Sequence, residues 1–250
     1  MIHNKGKNKP TAIIVLFLLA ISIHLFSQER NFRFENISTR EGLSQSSPNC
    51  IVQDSRGIIW VGTEDGLNKF DGYSFVIYKP EVNNPGSISN NRISCIIESE
   101  SGDLWIGTNG GGLNVYNRKK DLFVHFIGYD SSLVDHTIIN CLYQDNHNAI
   151  WAGTSRGLVK IEPSEKKTSL FIHDSYHSTS INSDYITCIA SDFSGHLWIG
   201  TPNGLNRMNS AKGSFKRYFH DTEDESSISS NSITCFLADQ DHSFWIGTSE

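Results

Sequence analysis

The stretch Asn182 to Asn206 reads NSDYITCIASDFSGHLWIGTPNGLN, and it decides the fold because the chain says it five times. Its Trp198 opens the phrase Trp-Ile-Gly-Thr. Close copies begin at Trp60, Trp105, Trp151 and Trp245, so successive tryptophans are 45, 46, 47 and 47 residues apart. Cys188 precedes its tryptophan by ten residues, as do Cys50, Cys95, Cys141 and Cys235. A further apolar residue lies seven before each cysteine: Leu43, Ile88, Val134, Ile181 and Ile228. Three offsets held through five copies make a repeat of one supersecondary unit.

Each unit divides into four short strands. The first surrounds the cysteine, as in Ile186-Thr-Cys-Ile-Ala190, with apolar residues on both faces and a polar residue just before the cysteine (Asn49, Ser94, Asn140, Thr187, Thr234). Apolar character on both faces marks a strand sandwiched between neighbouring sheets. A turn rich in Asp, Ser, Asn and Gly comes next, then the tryptophan strand. A third strand begins at Gly66-Leu67, Gly112-Leu113, Gly157-Leu158 and Gly204-Leu205. The fourth is apolar and aromatic, at Phe75–Tyr78, Phe123–Phe126, Leu170–Ile172 and Phe215–Phe219. The fold class expected is all-β, a β-propeller of four-stranded antiparallel blades. Helical repeats fail because no unit holds an i, i+3, i+4 apolar stripe and glycine interrupts every candidate. Tandem β-sandwiches would need roughly twice this period.

The units run over residues 43–86, 87–132, 133–179, 180–226 and 227–250, the last stopping after its tryptophan strand. About 4.5 blades are therefore present, an incomplete ring. A seven-bladed ring at this period needs roughly 320 residues, so the chain is expected to be a fragment of one. Residues 31–39 sit where the fourth strand of a preceding blade would be and are expected to close the ring.

The phrase Asn-x-Ile-x-Cys-Ile followed by Asp-x-x-Gly-x-Leu-Trp-Ile-Gly-Thr-x-x-Gly-Leu-Asn, carried well by Asn182–Asn206, resembles the two-component regulator propeller repeat. The likeness extends over about residues 31–250. It implies a periplasmic sensor region of a bacterial hybrid histidine kinase, one or two seven-bladed propellers followed by a β-sandwich, a membrane helix and cytoplasmic kinase domains. It also implies a homodimer for the full-length protein. No kinase residue carries over, because nothing in the sequence resembles a phosphoacceptor helix or a nucleotide-binding segment.

Residues 1–27 read as a signal peptide: Lys5, Lys7 and Lys9 precede the apolar run Thr11–Leu19, and polarity returns at Ser27-Gln28, near the expected cleavage point. An uncleaved anchor is the alternative, although the run is short for a span and His24 interrupts the apolar residues after it. Either way residues 28–250 are expected outside the cytoplasm, in the periplasm. The formal charge is −6, or −9 without the three leader lysines, with no Lys/Arg cluster. Nucleic acid and anionic membrane surfaces are poor partners for such a chain. Contact with the membrane is expected only through a downstream segment.

Residues that invite chemistry mostly admit plainer readings. The cysteines are odd in number and form no Cys-x-x-Cys, so they read as small residues filling the inter-blade space. The tryptophans, with a glycine two residues on, read as inter-blade core. His147, His196 and His242 lie in the turns before the tryptophan strand at differing offsets, which does not suit a metal site. Asp54, Asp145, Asp192 and Asp239 are read as turn caps. No metal, cofactor or catalytic residue is assigned. In a meander the loop entering the first strand and the loop joining the second to the third share one face, and both vary between units while the framework does not. Arg92, Arg156, Asp184 and Tyr185 are the candidate ligand-face residues, as hydrogen-bonding and stacking groups for a small molecule or oligosaccharide. The competing functions are an exported propeller enzyme, such as a polysaccharide lyase, and a passive adhesion or interaction propeller.

Overall fold

The computed structural model describes residues 34–129, 134–210, 212–239 and 241–249. The leader, residues 1–27, lies outside them. Within Ile37–Glu250, which forms one compact unit, every described element is a strand. Among the described residues no helix is long and apolar enough to cross a membrane.

Four meanders succeed one another. β1 (Pro48–Gln53), β2 (Ile59–Thr63), β3 (Gly66–Phe70) and β4 (Phe75–Tyr78) form the first sheet, in that order. β5 (Ile93–Glu98), β6 (Leu104–Thr108), β7 (Leu113–Asn117) and β8 (Leu122–Phe126) form the second. The third contains β9 (Ile139–Gln144), β10 (Ile150–Thr154), β11 (Gly157–Glu162) and β12 (Lys167–Phe171). The fourth contains β13 (Cys188–Ser191), β14 (Leu197–Thr201), β15 (Gly204–Asn209) and β16 (Ser214–Tyr218). β17 (Ile233–Ala238) and β18 (Phe244–Thr248) pair as a two-stranded sheet. All pairings within these sheets are antiparallel, and each sheet falls inside one repeat unit. Residues 34–38 belong to no strand, and 31–33 lie outside the described residues, so no ring-closing strand is seen among the described ones.

The cores lie between sheets. Trp60, Leu67 and Ile88 pack with Ile93, Ile96, Ile106 and Phe123 between the first and second blades. Trp105 and Trp151 occupy the same place at the next two joints. Fully burying one such side chain stabilises by roughly 1.5–3 kcal/mol. Exposure of the tryptophan follows whether a sheet covers it: Trp60 is 0 % exposed, Trp151 2 %, and Trp245, on the last sheet, 61 %. Trp198, faced by a sheet of two strands, is half-buried. The expectation that all five are inter-blade core therefore holds for three, partly for Trp198, and not for Trp245.

Three contacts recur at the joints. The glycine of Trp-x-Gly-Thr is demanded by close approach and not by its backbone angle. A Cβ on Gly62 would lie 2.5 Å from Cys50 Sγ and 2.6 Å from Ile93 Cγ2 of the next blade. Gly107, Gly153 and Gly200 each meet the cysteine of their own blade and the isoleucine of the next in the same way. The cysteine thus does fill the inter-blade space, but it is half-buried in four blades and exposed at Cys235, because the cysteine strand is the edge strand of its sheet. Burial pushes the thiols of Cys50 and Cys95 up to about 12 and that of Cys188 to about 11, so they stay protonated and are poor nucleophiles or metal ligands.

The second contact belongs to the polar residue before the cysteine. Asn49 Nδ2 donates to Ile93 O at 2.9 Å, Ser94 Oγ to Ile139 O at 2.5 Å, Asn140 Nδ2 to Ile186 O at 2.7 Å and Thr187 Oγ1 to Ile233 O at 2.7 Å. Each blade is so tied to the backbone of the next.

The third contact holds the tryptophan. Asp54, Asp145 and Asp192 each accept two backbone N–H groups of their turn on Oδ1, and on Oδ2 the indole N–H of Trp60, Trp151 or Trp198 at 2.9, 2.7 and 2.9 Å. The turn caps expected from sequence at Asp54, Asp145 and Asp192 are there, with the added duty of orienting the core residue. Removing one leaves a buried donor without its acceptor. Asp145→Ala is expected to destabilise by about 2 kcal/mol in urea unfolding followed by tryptophan emission; a change within about 0.5 kcal/mol would show that the hook is dispensable.

The first joint carries an additional clamp. Arg118, in the turn after β7, donates from Nη1 to Asp54 Oδ2 at 2.6 Å, from Nη2 to Glu98 Oε1 at 2.7 Å and from Nε to Gly102 O at 2.8 Å. Glu98 also accepts from Ser55 N at 2.6 Å and Ser55 Oγ at 2.9 Å. The Asp54 side chain is fully buried there.

Candidate ligand face

The loops that enter each blade are built on polar anchors. After the buried apolar residue seven before the cysteine, the chain turns on an asparagine of the third strand. Asn68 holds Ser44, Asn114 holds Ser89 and Asn206 holds Asn182, each accepting the backbone N–H on Oδ1 and donating from Nδ2 to the side chain. All three asparagines are fully buried. Blade 3 has Val159 in this place. The Gly-Leu-Asn phrase was visible in the sequence, but its asparagine as a loop anchor was not.

Loops joining second to third strands start from the threonine of Trp-x-Gly-Thr. Thr63, Thr154 and Thr201 donate to the carbonyls of Gly66, Gly157 and Gly204 and accept the N–H two residues on. At Gly204 the backbone adopts φ +127°, which L side chains rarely take.

These two loop sets meet, as the meander requires. Gly66 N donates to Asn91 O at 2.7 Å, Gly112 N to Thr137 O at 3.0 Å and Ile186 N to Thr154 O at 3.0 Å, each across a joint. One face therefore carries all four candidate residues, at two separate places. Arg92 stands at the first joint, where Nε donates to Glu64 Oε2 at 2.5 Å, while Lys79 pairs with Asp65 at 2.6 Å. The hydrogen bond from Arg92 holds the Glu64 carboxyl below its usual range, and the one from Lys79 does the same for Asp65.

Arg156, Asp184 and Tyr185 gather at the joint between blades 3 and 4. Arg156 is exposed, its backbone N–H held by Thr154. Asp184 Oδ1 accepts from His173 N at 2.6 Å, just as Asn231 Oδ1 accepts from His220 N at 2.8 Å one blade on, so part of its capacity fastens the linker. Tyr185 is 45 % exposed, its hydroxyl 3.5 Å from Asn140 Oδ1. The sequence did not disclose that Glu64 and Arg92, 28 residues apart, would face each other. Among the described residues no three His, Cys, Asp or Glu side chains are grouped to hold a metal ion.

The two-component regulator propeller repeat matches residues 42–65, 87–110, 132–156, 180–203 and 227–250, the cysteine and tryptophan strands of every unit. The curated Histidine kinase P4 of Formosa agariphila is 47 % identical over 78 residues, 31 % of this chain and 6 % of that protein. Among solved structures, the extracellular domains of two putative hybrid two-component systems from B. thetaiotaomicron align over 86 % of this chain, with TM-scores of 0.55 and 0.54 at 22 % and 21 % identity. PorZ, a surface component of the type-IX secretion system of Porphyromonas gingivalis, aligns over 81 % with a TM-score of 0.58 at 14 % identity. The chain spans 38 % and 40 % of the two B. thetaiotaomicron domains and 31 % of PorZ. At these identities the solved structures speak for the propeller fold, while the repeat speaks for the lineage. With all five units matched in register, the chain belongs to the two-component regulator propeller family.

Proposed function

We propose that this chain is the ligand-sensing propeller region of an exported hybrid two-component sensor, and that it is not itself an enzyme. The observation that carries the reading is the five-fold match of the repeat, supported by the stretch that is 47 % identical to a histidine kinase. A ligand read on this face acts by favouring one arrangement of the propeller over another, which a membrane helix and kinase downstream would report. Arg92, Arg156, Asp184 and Tyr185 are the side chains assigned to the entry-loop face, for a small molecule or oligosaccharide. Residues 1–27 supply export, residues 28–250 form part of a larger ring, and the full-length protein sits in the inner membrane as a homodimer.

Two measurements test this. Alkaline phosphatase fused after Glu250 is expected to be active in a bacterial host; an intact but inactive fusion would place the propeller in the cytoplasm and end the reading. The gene beyond the Glu250 codon is expected to encode a membrane helix and a kinase. A frame that ends after ring closure with neither would leave the adhesion or enzyme alternatives.

A further inference from the structure

The turns joining first to second and third to fourth strands lie on the opposite face, and clefts open there beside successive blades. Of the four described, three are lined by cationic side chains of the protein itself. Arg118 lines the cleft between blades 1 and 2, Lys160 the one beside blades 3 and 4, and Arg207 with Lys216 the one on blade 4. The fourth, about 410 Å³ between blades 2 and 3, has none. Ser99, Glu100 and Asp103 of blade 2 face Gln144 and Pro163 of blade 3 across it, with Trp105 between them.

Trp105 departs from its counterparts in two ways. Where Trp60, Trp151 and Trp198 have a hooking aspartate six residues earlier, blade 2 has Ser99. Its Oγ is engaged with Ser101 Oγ at 2.8 Å and Asp103 O at 3.1 Å. Where Lys69, Lys160 and Arg207 lie over the rings of Trp60, Trp151 and Trp198 at 5.7, 5.6 and 5.8 Å, the cross-strand partner of Trp105 is Val115. Trp105 is only 6 % exposed, yet its indole N–H has no acceptor among the described residues. No wholly buried side-chain nitrogen or oxygen lacks a partner among them, so this N–H opens into the cleft it lines. The Glu100 carboxylate also meets no partner among the described residues; only its backbone N–H is used, by Gln144 Oε1 at 2.8 Å.

We propose that this cleft binds a small ammonium ligand with a hydroxyl near the nitrogen, the amino-alcohol and amino-sugar class. The hydroxyl oxygen accepts from Trp105 Nε1, and the ammonium takes against Glu100 and Asp103 the place that a lysine or arginine fills in the other clefts. Two carboxylates without a cation oppose any anion. A neutral polyol answers the indole but leaves the carboxylates uncompensated. This site is on the face away from Arg92 and Arg156, and its failure would leave the sensory reading untouched.

The indole N–H resonances of the 15N-labelled full chain test it, with Trp105 assigned through Trp105→Phe. D-glucosamine is expected to move the Trp105 signal saturably, with a Kd of about 1 mM, as a shallow site with few contacts gives. D-glucose is expected to bind at least about tenfold more weakly, for want of the charged hydrogen bond. Ser99→Asp, which restores the hook, should abolish the response. Glu100→Gln, at an exposed position that the fold does not need, should weaken it roughly fivefold. The proposal is overturned by a Trp105 signal that stays still up to about 50 mM glucosamine, by an equal response to glucose, or by full binding in both variants.

Discussion

Gly62→Ala is expected to destabilise the propeller by about 3 kcal/mol, the upper part of the range for overpacking a well-filled core. The added methyl would sit 2.5 Å from Cys50 Sγ and 2.6 and 2.9 Å from Ile93 Cγ2 and Cβ. Ile93 is fully buried between the two blades, packed in the core with Trp60, Ile96 and Ile106. The blades must therefore separate or the β2 backbone must shift, and either loosens the core around Trp60. Urea unfolding would measure the loss. A cycle with Ile93→Ala isolates its cause: shortening the opposing side chain should make the alanine at 62 less costly by about 1 kcal/mol or more. Strictly additive effects would mean that the glycine is there for some reason other than the neighbour's approach.

Arg118→Met is expected to cost a similar amount, about 3 kcal/mol, because it strands a carboxylate at a fully buried position. Asp54 would keep the indole of Trp60 and two backbone N–H groups but lose the cation that pairs with it. Combining it with Asp54→Asn should recover much of the loss. Acid supplies a second check. Burial pushes the Asp54 carboxyl up, yet the hydrogen bonds from Arg118, Trp60 and its own turn outweigh it, so the carboxyl lies below its ordinary 3.8. A carboxyl depressed on folding gives stability that is present above its unfolded value and is lost as pH falls through its folded one. Without Arg118 the folded value rises. The gap between wild type and Arg118→Met should then narrow as pH drops towards 3.8, since the variant's buried charge can be neutralised. A gap that is constant with pH would remove Asp54 from the explanation.

What could be read in advance tracks what repeats locally. Trp-x-Gly-Thr, the cysteine and the turn aspartate lie within one unit, and their offsets announced strands, turns and core. The direction of the polar residue before the cysteine could not be read, because its partner is a carbonyl 44 residues away from Asn49, and a carbonyl has no letter in the sequence. Arg118 and Asp54 are 64 residues apart and occur at one joint only, so no periodicity marks them. The exceptional blade was legible in principle. Ser99 stands where Asp54, Asp145, Asp192 and Asp239 stand, but its meaning depends on knowing that the aspartate holds an indole. The ligand-face residues were chosen for their variability, and variability does not distinguish a group that is free from one already spoken for, as Asp184 partly is by His173.

The bond that each blade gives to the next bears on how many blades such a ring holds. Every joint uses the same glycine, isoleucine and polar donor, so no single joint counts the others, and the number is fixed by the wedge each one subtends, roughly 51° for seven members and 60° for six. The donors at the inner rim differ in reach, from serine at Ser94 to asparagine at Asn49 and Asn140, yet all find their carbonyl. The spacing does not follow that reach: a Cβ on Gly62, Gly107, Gly153 or Gly200 would lie 2.6 to 2.7 Å from Cγ2 of the next blade's isoleucine, whichever donor spans the joint. The wedge is thus set by glycine packed against isoleucine, and the bridging position is left free to vary among Asn, Ser and Thr without changing the circumference.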